Sequence, residues 1–440
     1  MTFMHWHGDG TAFTAPQFLS MASGDQVSIL KLFQAEEIEL AQILVLGAGI
    51  AGMPAAYALK SQLGSKDDVT VVSDQDHFHF VPSNPWVAMG WRKRPDISIP
   101  LAPCLDARGI RFIGSGVQAL QPEKNQVLLD NGETLSYDYL LIATGVEGNF
   151  DEMPGIARHA HSVLNIGQAE NTHAAYEAFL KNPGPLVVGA MQGSSILGPV
   201  YEFAFMADAD LKRRHLRDRV PITLITPEPW PGHLGLGAKN KSQEAFAAAL
   251  ANSNIKVLSN ARTLNVEANT VSIAEVDASG REKQPQTIPF SFAVYWPAFR
   301  GIPAVRAAST LVNQQGLIEV DEFLRSPSHP NIFAAGICIA REIVDQTPLA
   351  VGTPSSVYSI QKEVNTVVAN ILAQMHGKPL ASNTPQRAHW LSDMGKNGAA
   401  YLSEPHVPLR DINWLKQGRW VHIAKGEFER YFINKITHKA

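Results

Sequence analysis

The chain has 440 residues, of which 45% are hydrophobic and 18% charged. That length exceeds one small domain and that composition suits a large buried core, so two or three globular domains are expected. A formal net charge of −4 argues against nucleic-acid binding, and two cysteines, Cys104 and Cys338, exclude a disulfide framework. No apolar run reaches the ~18 residues of a membrane span, and no basic start with an apolar stretch marks a signal peptide. A cytoplasmic protein is expected. Residues 1–40 read as an extension, with apolar spacing that predicts an amphipathic helix over 27–40. His5 and His7 stand close together there, but no further ligand is identifiable, so no metal site is expected.

The first strand, Ile43-Leu44-Val45-Leu46, runs into Gly47-Ala48-Gly49-Ile50-Ala51-Gly52 and then a helical pattern. This is the strand–turn–helix of a dinucleotide site. Gly47 permits the tight turn, Gly49 lets backbone approach a pyrophosphate, and Gly52 lets helix and strand pack closely. Ile50 and Ala51 supply N–H groups at the helix start. The second strand, Val69 to Val72, ends at Ser73 and Asp74, either of which could reach the adenosine ribose; the alternative is a solvated turn. The aromatic and proline-rich loop 77–86 is stiff enough to line a flat ring and contains Asn84. A later strand closes with Ala143, Thr144 and Gly145, small residues that suit a chain crossing near a bound dinucleotide.

A second βαβ unit begins near residue 185. Its turn carries Gly189, Gly193 and Gly198, a spacing that is not GxGxxG, and Pro199 stands where a nucleotide-binding helix would open. The next strand is followed by Pro227-Glu228-Pro229-Trp230, not by a ribose clamp. This predicts a nucleotide-domain fold with a compromised NAD(P) site. Strands are expected at 290–296 and 316–320, and a third apolar strand turns at Gly336-Ile337. A helix is expected over 357–375. Basic and aromatic residues alternate over 420–436, as in a membrane-surface helix or the solvated face of a docked one.

The stretches 47–57, 80–86, 189–202 and 331–336, with Asp393-Met394-Gly395 and 418–425, closely resemble bacterial sulfide:quinone oxidoreductases. The likeness runs from about residue 42 to 436. It implies an α/β fold of two Rossmann-like FAD/NAD(P)-binding domains of the disulfide-oxidoreductase type, plus a C-terminal segment. The expected division is 41–160 with 305–375 for FAD, 161–304 for a second domain that does not use NAD(P), and 376–440 facing a membrane or partner. Non-covalent FAD is implied along Gly47, Gly49, Ile50, Ala51, Gly52, Ser73, Asp74, Asn84, Ala143, Thr144, Gly145, Gly336 and Ile337. Quinone, or a protein electron-transfer partner, is the implied acceptor. Peripheral contact with the inner face of a membrane, and a homo-oligomer or a place in a complex, are the implied associations.

Departures from the family pattern bear on the chemistry. The three cysteines that the resemblance places on the sulfide side fall at Leu164, Ile196 and Trp390, none of which can form a persulfide or a flavin adduct. A family lysine near the flavin pyrimidine falls at Ser355, and a family histidine at Gln168. Glu202 and His233 are retained as candidate acid–base groups. Cys104 and Cys338 match none of the redox positions and read as core. The expectation is an FAD oxidoreductase with another donor. The alternatives are a non-catalytic structural or electron-transfer subunit, and sulfide:quinone reduction by an atypical mechanism.

Overall fold

The computed structural model describes residues 41–63, 68–237, 241–383, 388–395, 397–404 and 412–437. The helix expected over 27–40 and the His5/His7 cluster lie outside the described residues. The first sheet opens with β1 (Gln42–Leu46), followed by α1 (Gly52–Leu63) and β2 (Asp68–Ser73). The short helix α2 (Asn84–Ala88) precedes β3 (Arg111–Gly114) and β4 (Tyr139–Ile142). A second unit contains β5 (Leu186–Ala190), α3 (Gly198–Arg213), β6 (Ile222–Ile225), β7 (Ile255–Leu258) and β8 (Phe292–Trp296). The chain then returns to the first sheet through β9 (Ile332–Ala334) and α4 (Val357–Met375). It closes with β10 (Ala388–Asp393), β11 (Gly398–Glu404), β12 (Ile412–Gly418) and α5 (Arg419–Thr437).

The first sheet is parallel throughout, in the order β9-β4-β1-β2-β3. The second is parallel in the order β7-β6-β5-β8, and the third is antiparallel, β10-β11-β12. Ile43, Leu44, Val45 and Leu46 are all buried, as befits a central parallel strand covered on both faces. The chain builds outward from β1 to β2 and β3, then crosses back to β4. The crevice between β1 and β4 is therefore a topological switch point, where open α/β sheets bind ligands beyond the carboxyl ends of their strands.

Two helices hold the site's walls. Ser356 caps α4, its hydroxyl accepting from the Ser359 amide, and the helix buries Ile360, Val364, Val367, Val368 and Ile371. Each full burial of that kind contributes roughly 1.5–3 kcal/mol. In α5 the buried face is Val421, Lys425, Glu429, Phe432 and Ile436, a helical spacing of four, four, three and four. Phe432 packs against Phe78 and Phe80, with ring centroids 5.9 Å and 5.3 Å away. The basic and aromatic alternation, read as a membrane-surface helix or the solvated face of a docked one, thus turns Lys425 inward.

The strand expected over 316–320 does not form. Ile318 makes only single bridges, to Val312 and Ile339. The Asn313 side chain accepts from the Gln315 and Leu317 amides, and Gly316 takes φ +74°. This side-chain turn competes with a ladder for the same backbone groups.

Candidate active site

The glycine turn after β1 is built by steric necessity. Gly47 has φ +99°, its amide donates to Val72 O at 2.8 Å, and a Cβ there would overlap Ala143 O and lie 2.9 Å from Thr144 Cα. A Cβ on Gly52 would overlap the Gly47 carbonyl. Gly49 differs: a Cβ there would meet nothing within 4 Å. Two glycines are therefore required by the protein's own packing, and the third faces open space. A cradle that the protein leaves open at the start of a helix fits an anionic pyrophosphate.

Three further chain segments converge on this turn. The β4 end, Ala143–Gly145, lies against Gly47, and Gly145 has φ +70°. Ala335 donates to Ile142 O at 3.1 Å, which brings the β9 turn alongside. Gly336, at φ +95°, has no room to spare, since its Cβ would stand 3.3 Å from that of Ala51. Gln361 of α4 donates to Ile50 O at 3.0 Å, fixing the start of that helix to the glycine turn. Ile337 is half-buried beside Gly336.

The next strand end supplies Ser73 and Asp74. Ser73 is buried and its hydroxyl accepts from the Gln75 amide at 3.1 Å, whereas Asp74 is exposed. Asn84 is fully buried in α2. Its Nδ2 donates to Val163 O at 3.0 Å, and its Oδ1 is a buried acceptor without a partner among the described residues. An orphaned buried acceptor is costly unless something outside the chain satisfies it.

The corresponding turn in the second unit is built differently, with Gly189 inside β5. A Cβ on Gly189 would overlap the Tyr295 ring, so this glycine accommodates an aromatic side chain from β8. Gly193 donates to Ala350 O at 2.7 Å and Gly352 to Ser194 O at 3.0 Å, which lays backbone over the turn. The acidic residue after β6, Glu228, points inward. It accepts from the Tyr201 hydroxyl, from Thr226 Oγ1 at 2.6 Å and from the Leu234 amide at 2.6 Å. Burial pushes its carboxyl up to about 7.

Glu202 and His233 sit in separate networks. Glu202 is buried in an ion pair with Lys425, and its Oε1 accepts from the Asp393 amide at 3.1 Å. Burial raises its pKa above the usual carboxylate range, the Lys425 ammonium opposes that, and the nearby Asp393 adds to it. Asp393 in turn accepts from Trp86 Nε1 at 2.8 Å and meets His422 Nδ1 at 2.9 Å. Lys425 Nζ stands 5.0 Å over the Trp86 ring and the Arg92 guanidinium 4.5 Å over it. His233 is buried; its Nδ1 accepts from the Gly235 amide at 3.1 Å and its Nε2 lies 3.3 Å from Asp345 Oδ2.

Comparison with known proteins places this geometry. The family model for the pyridine nucleotide-disulphide oxidoreductases matches residues 41–354. Sulfide-quinone reductase of Aquifex aeolicus is 32% identical over 90% of this chain and 91% of its own length. The chain belongs to the sulfide:quinone oxidoreductase family. The crystal structure of the Aquifex aeolicus enzyme superposes with a TM-score of 0.86 at 32% identity over 90% of this chain and 91% of that one. NDH2 of Plasmodium falciparum shares the fold, with a TM-score of 0.68 at 16% identity over 90% of this chain and 97% of that one. Mitochondrial sulfide:quinone oxidoreductase of Mus musculus is 22% identical over 68% of this chain and 65% of its length. The chain is thus an FAD oxidoreductase related to sulfide:quinone reductases.

At the positions where the resemblance places the family's thiols stand Leu164, Ile196 and Trp390. Leu164 is half-buried and converges with Phe150 and Pro297 on Gly148. Ile196 is half-buried just before α3, and Trp390 lies on β10 opposite Tyr401. Gln168 accepts from the Leu164 amide at 3.1 Å. Cys338 is buried, its thiol donating toward Ala335 O at 3.3 Å, and burial pushes it up to about 12. Cys104 is partly buried and also raised by burial.

Sequence reasoning missed Arg341 and Glu363. The Glu363 carboxylate is fully buried, accepting from the Gly336 amide at 3.0 Å and from Arg341 Nη2 at 2.7 Å. A charge at the Glu363 position of the apolar stripe of α4 was the available signal.

Proposed function

We propose that this chain binds FAD non-covalently and passes electrons from a donor other than sulfide to a quinone or a protein acceptor. The observation that carries the reading is the replacement of every matching thiol by Leu164, Ile196 and Trp390, while Cys338 is held as a protonated core thiol. Sulfide oxidation of the family type needs a thiolate to take up sulfur. FAD, when bound, supplies the two-electron chemistry. The chain's own residues supply the rest. Gly49 admits the pyrophosphate, with the N–H groups at the start of α1 to receive it. Ser73 or Asp74 takes the ribose, Asn84 offers Oδ1 as an acceptor, and Gly336 and Ile337 close the β9 side. The spacing Gly189, Gly193, Gly198, with Pro199 at the start of α3, supports a second domain that leaves NAD(P) unused.

Among the described residues no helix is long and apolar enough to cross a membrane. Trp420, Ile423 and Tyr431 are exposed along α5, close to Arg430, an arrangement that suits peripheral contact with an anionic lipid surface. The decisive experiment is the absorption spectrum of the purified chain, followed by titration with sulfide and with a quinone analogue. Flavin bands that persist in sulfide support the proposal. Sulfide-dependent quinone reduction overturns the donor assignment, and a colourless protein overturns FAD binding in favour of a non-catalytic subunit.

A further inference from the structure

An ion pair, fully buried at Glu363 and partly exposed at Arg341, joins the β9 turn to α4. Arg341 Nη2 bonds to Glu363 Oε1 at 2.7 Å, to Gly336 O at 3.2 Å and to Ser355 Oγ at 3.3 Å. Glu363 is fully buried, and its other oxygen takes the Gly336 amide. One guanidinium therefore bonds both the β9 turn, which packs on Ala51 of the glycine turn, and the segment leading into α4, a helix tied to Ile50 through Gln361. A group whose pyrophosphate rests at Gly49 and extends along these carboxyl-terminal strand ends must pass this point. The α4 N-terminus adds partial positive charge there.

Packing alone does not call for this arrangement. Burying a carboxylate and a guanidinium is costly, and apolar residues of similar size would fill the same space as well or better. Their orientation is informative. Glu363 lies on the core side and anchors Arg341, which keeps 18% of its side-chain surface exposed. Ser355, where the resemblance places a lysine, holds out its hydroxyl to that same guanidinium.

We propose that Arg341 is the cation that faces negative charge developing on the flavin ring, with Glu363 as the positioning residue that aims it. The inference rests on the FAD reading above. It assigns the electrostatic role of the absent lysine to a different element of the chain, and it requires no new donor, acceptor or co-reactant.

The test uses the full chain and sulfite as a probe. Sulfite adds reversibly to N5 of oxidised flavin through its own electron pair, leaving negative charge on the pyrimidine half, so its affinity reads the local cation without turnover. R341Q is expected to retain flavin and to weaken sulfite binding by about tenfold or more, with a more negative flavin midpoint potential. The double variant R341Q/S355K is expected to recover sulfite affinity to within about threefold of the parent. R341Q that retains flavin with unchanged sulfite affinity overturns the proposal. If R341Q fails to fold, S355E, which leaves Glu363 untouched and sets a carboxylate beside the guanidinium, must weaken sulfite binding comparably; unchanged affinity there overturns it too. A parent chain that binds no flavin defeats the underlying FAD reading, whereas flavin bound with insensitive sulfite affinity defeats this inference alone.

Discussion

Lys425→Met isolates what the buried ion pair does for α5. In the parent chain Lys425 and Glu202 are both nearly excluded from solvent and bonded to each other. Removing one partner of such a pair typically costs about 3–5 kcal/mol, because the other charge stays buried without compensation. The helix should still dock, since Val421, Phe432 and Ile436 remain buried and each contributes roughly 1.5–3 kcal/mol. The cost should therefore appear as more frequent opening of 419–437. A loss of about 3 kcal/mol is about a hundredfold in the opening equilibrium. Hydrogen exchange of the α5 amides measures this directly. The sign of the pH dependence follows from Glu202. Its folded pKa is already raised above 4.5 by burial, and Lys425 is the main influence opposing that rise. Without Lys425 it rises further, so stability falls as pH climbs from the unfolded value through the folded one. The variant should exchange faster relative to parent at pH 8 than at pH 5. E202Q/K425M, with no charge to strand, should recover most of the protection. Protection unchanged within about threefold at pH 8, or a double variant no better than the single, would refute the reasoning.

Other consequences follow from the same geometry. Glu228 keeps its proton to about 7 against a usual 4.5, so the parent's stability should decline by about 3 kcal/mol as pH rises from 4.5 through 7, and E228Q should flatten the melting temperature measured between pH 5 and 8.5. G47A should fold poorly, because Ala at φ +99° would also strike Ala143 O; G49A, whose Cβ meets no protein atom, should melt like the flavin-free parent yet fail to take up flavin, as read by the protein-to-flavin absorbance ratio. A thiol reagent should label only Cys104 in the native protein and Cys338 only after denaturation; rapid native labelling of both would contradict the core assignment.

Much of the fold was legible because it rests on short-range pattern. The strand–turn–helix at 42–63 follows from apolar burial and glycine sterics, and α4 spans the expected 357–375 because Ser356 can cap it and its apolar residues recur at helical spacing. Long-range charge pairing was not legible. Lys425 and Glu429 fall in phase with Val421, Phe432 and Ile436, a pattern that places them on the buried face. Their partners, Glu202 for Lys425 and Ser83 and Arg92 for Glu429, lie hundreds of residues away in the chain. The strand expected over 316–320 failed for a local reason, the Asn313 side chain claiming backbone amides that a ladder would need.

The two glycine turns show why motif spacing says less than the space around it. Both follow a central parallel strand and both precede a helix. At the first, Gly47 and Gly52 are demanded by backbone contacts within the chain, so their presence would be needed with or without a ligand. Gly49 alone has no internal reason to be glycine, and it is the residue that points to a cofactor. At the second, Gly189 lies against Tyr295 and the turn is bonded to Ala350 and Gly352. The same test applied to charge brings out Arg341 beside the glycine turn: packing gains little from the Arg341–Glu363 pair, and the proposed use of that charge lies toward the cofactor. On this reading function is marked by residues whose local cost the fold does not recover, and Leu164, packed against the core where the resemblance places a thiol, carries no such cost.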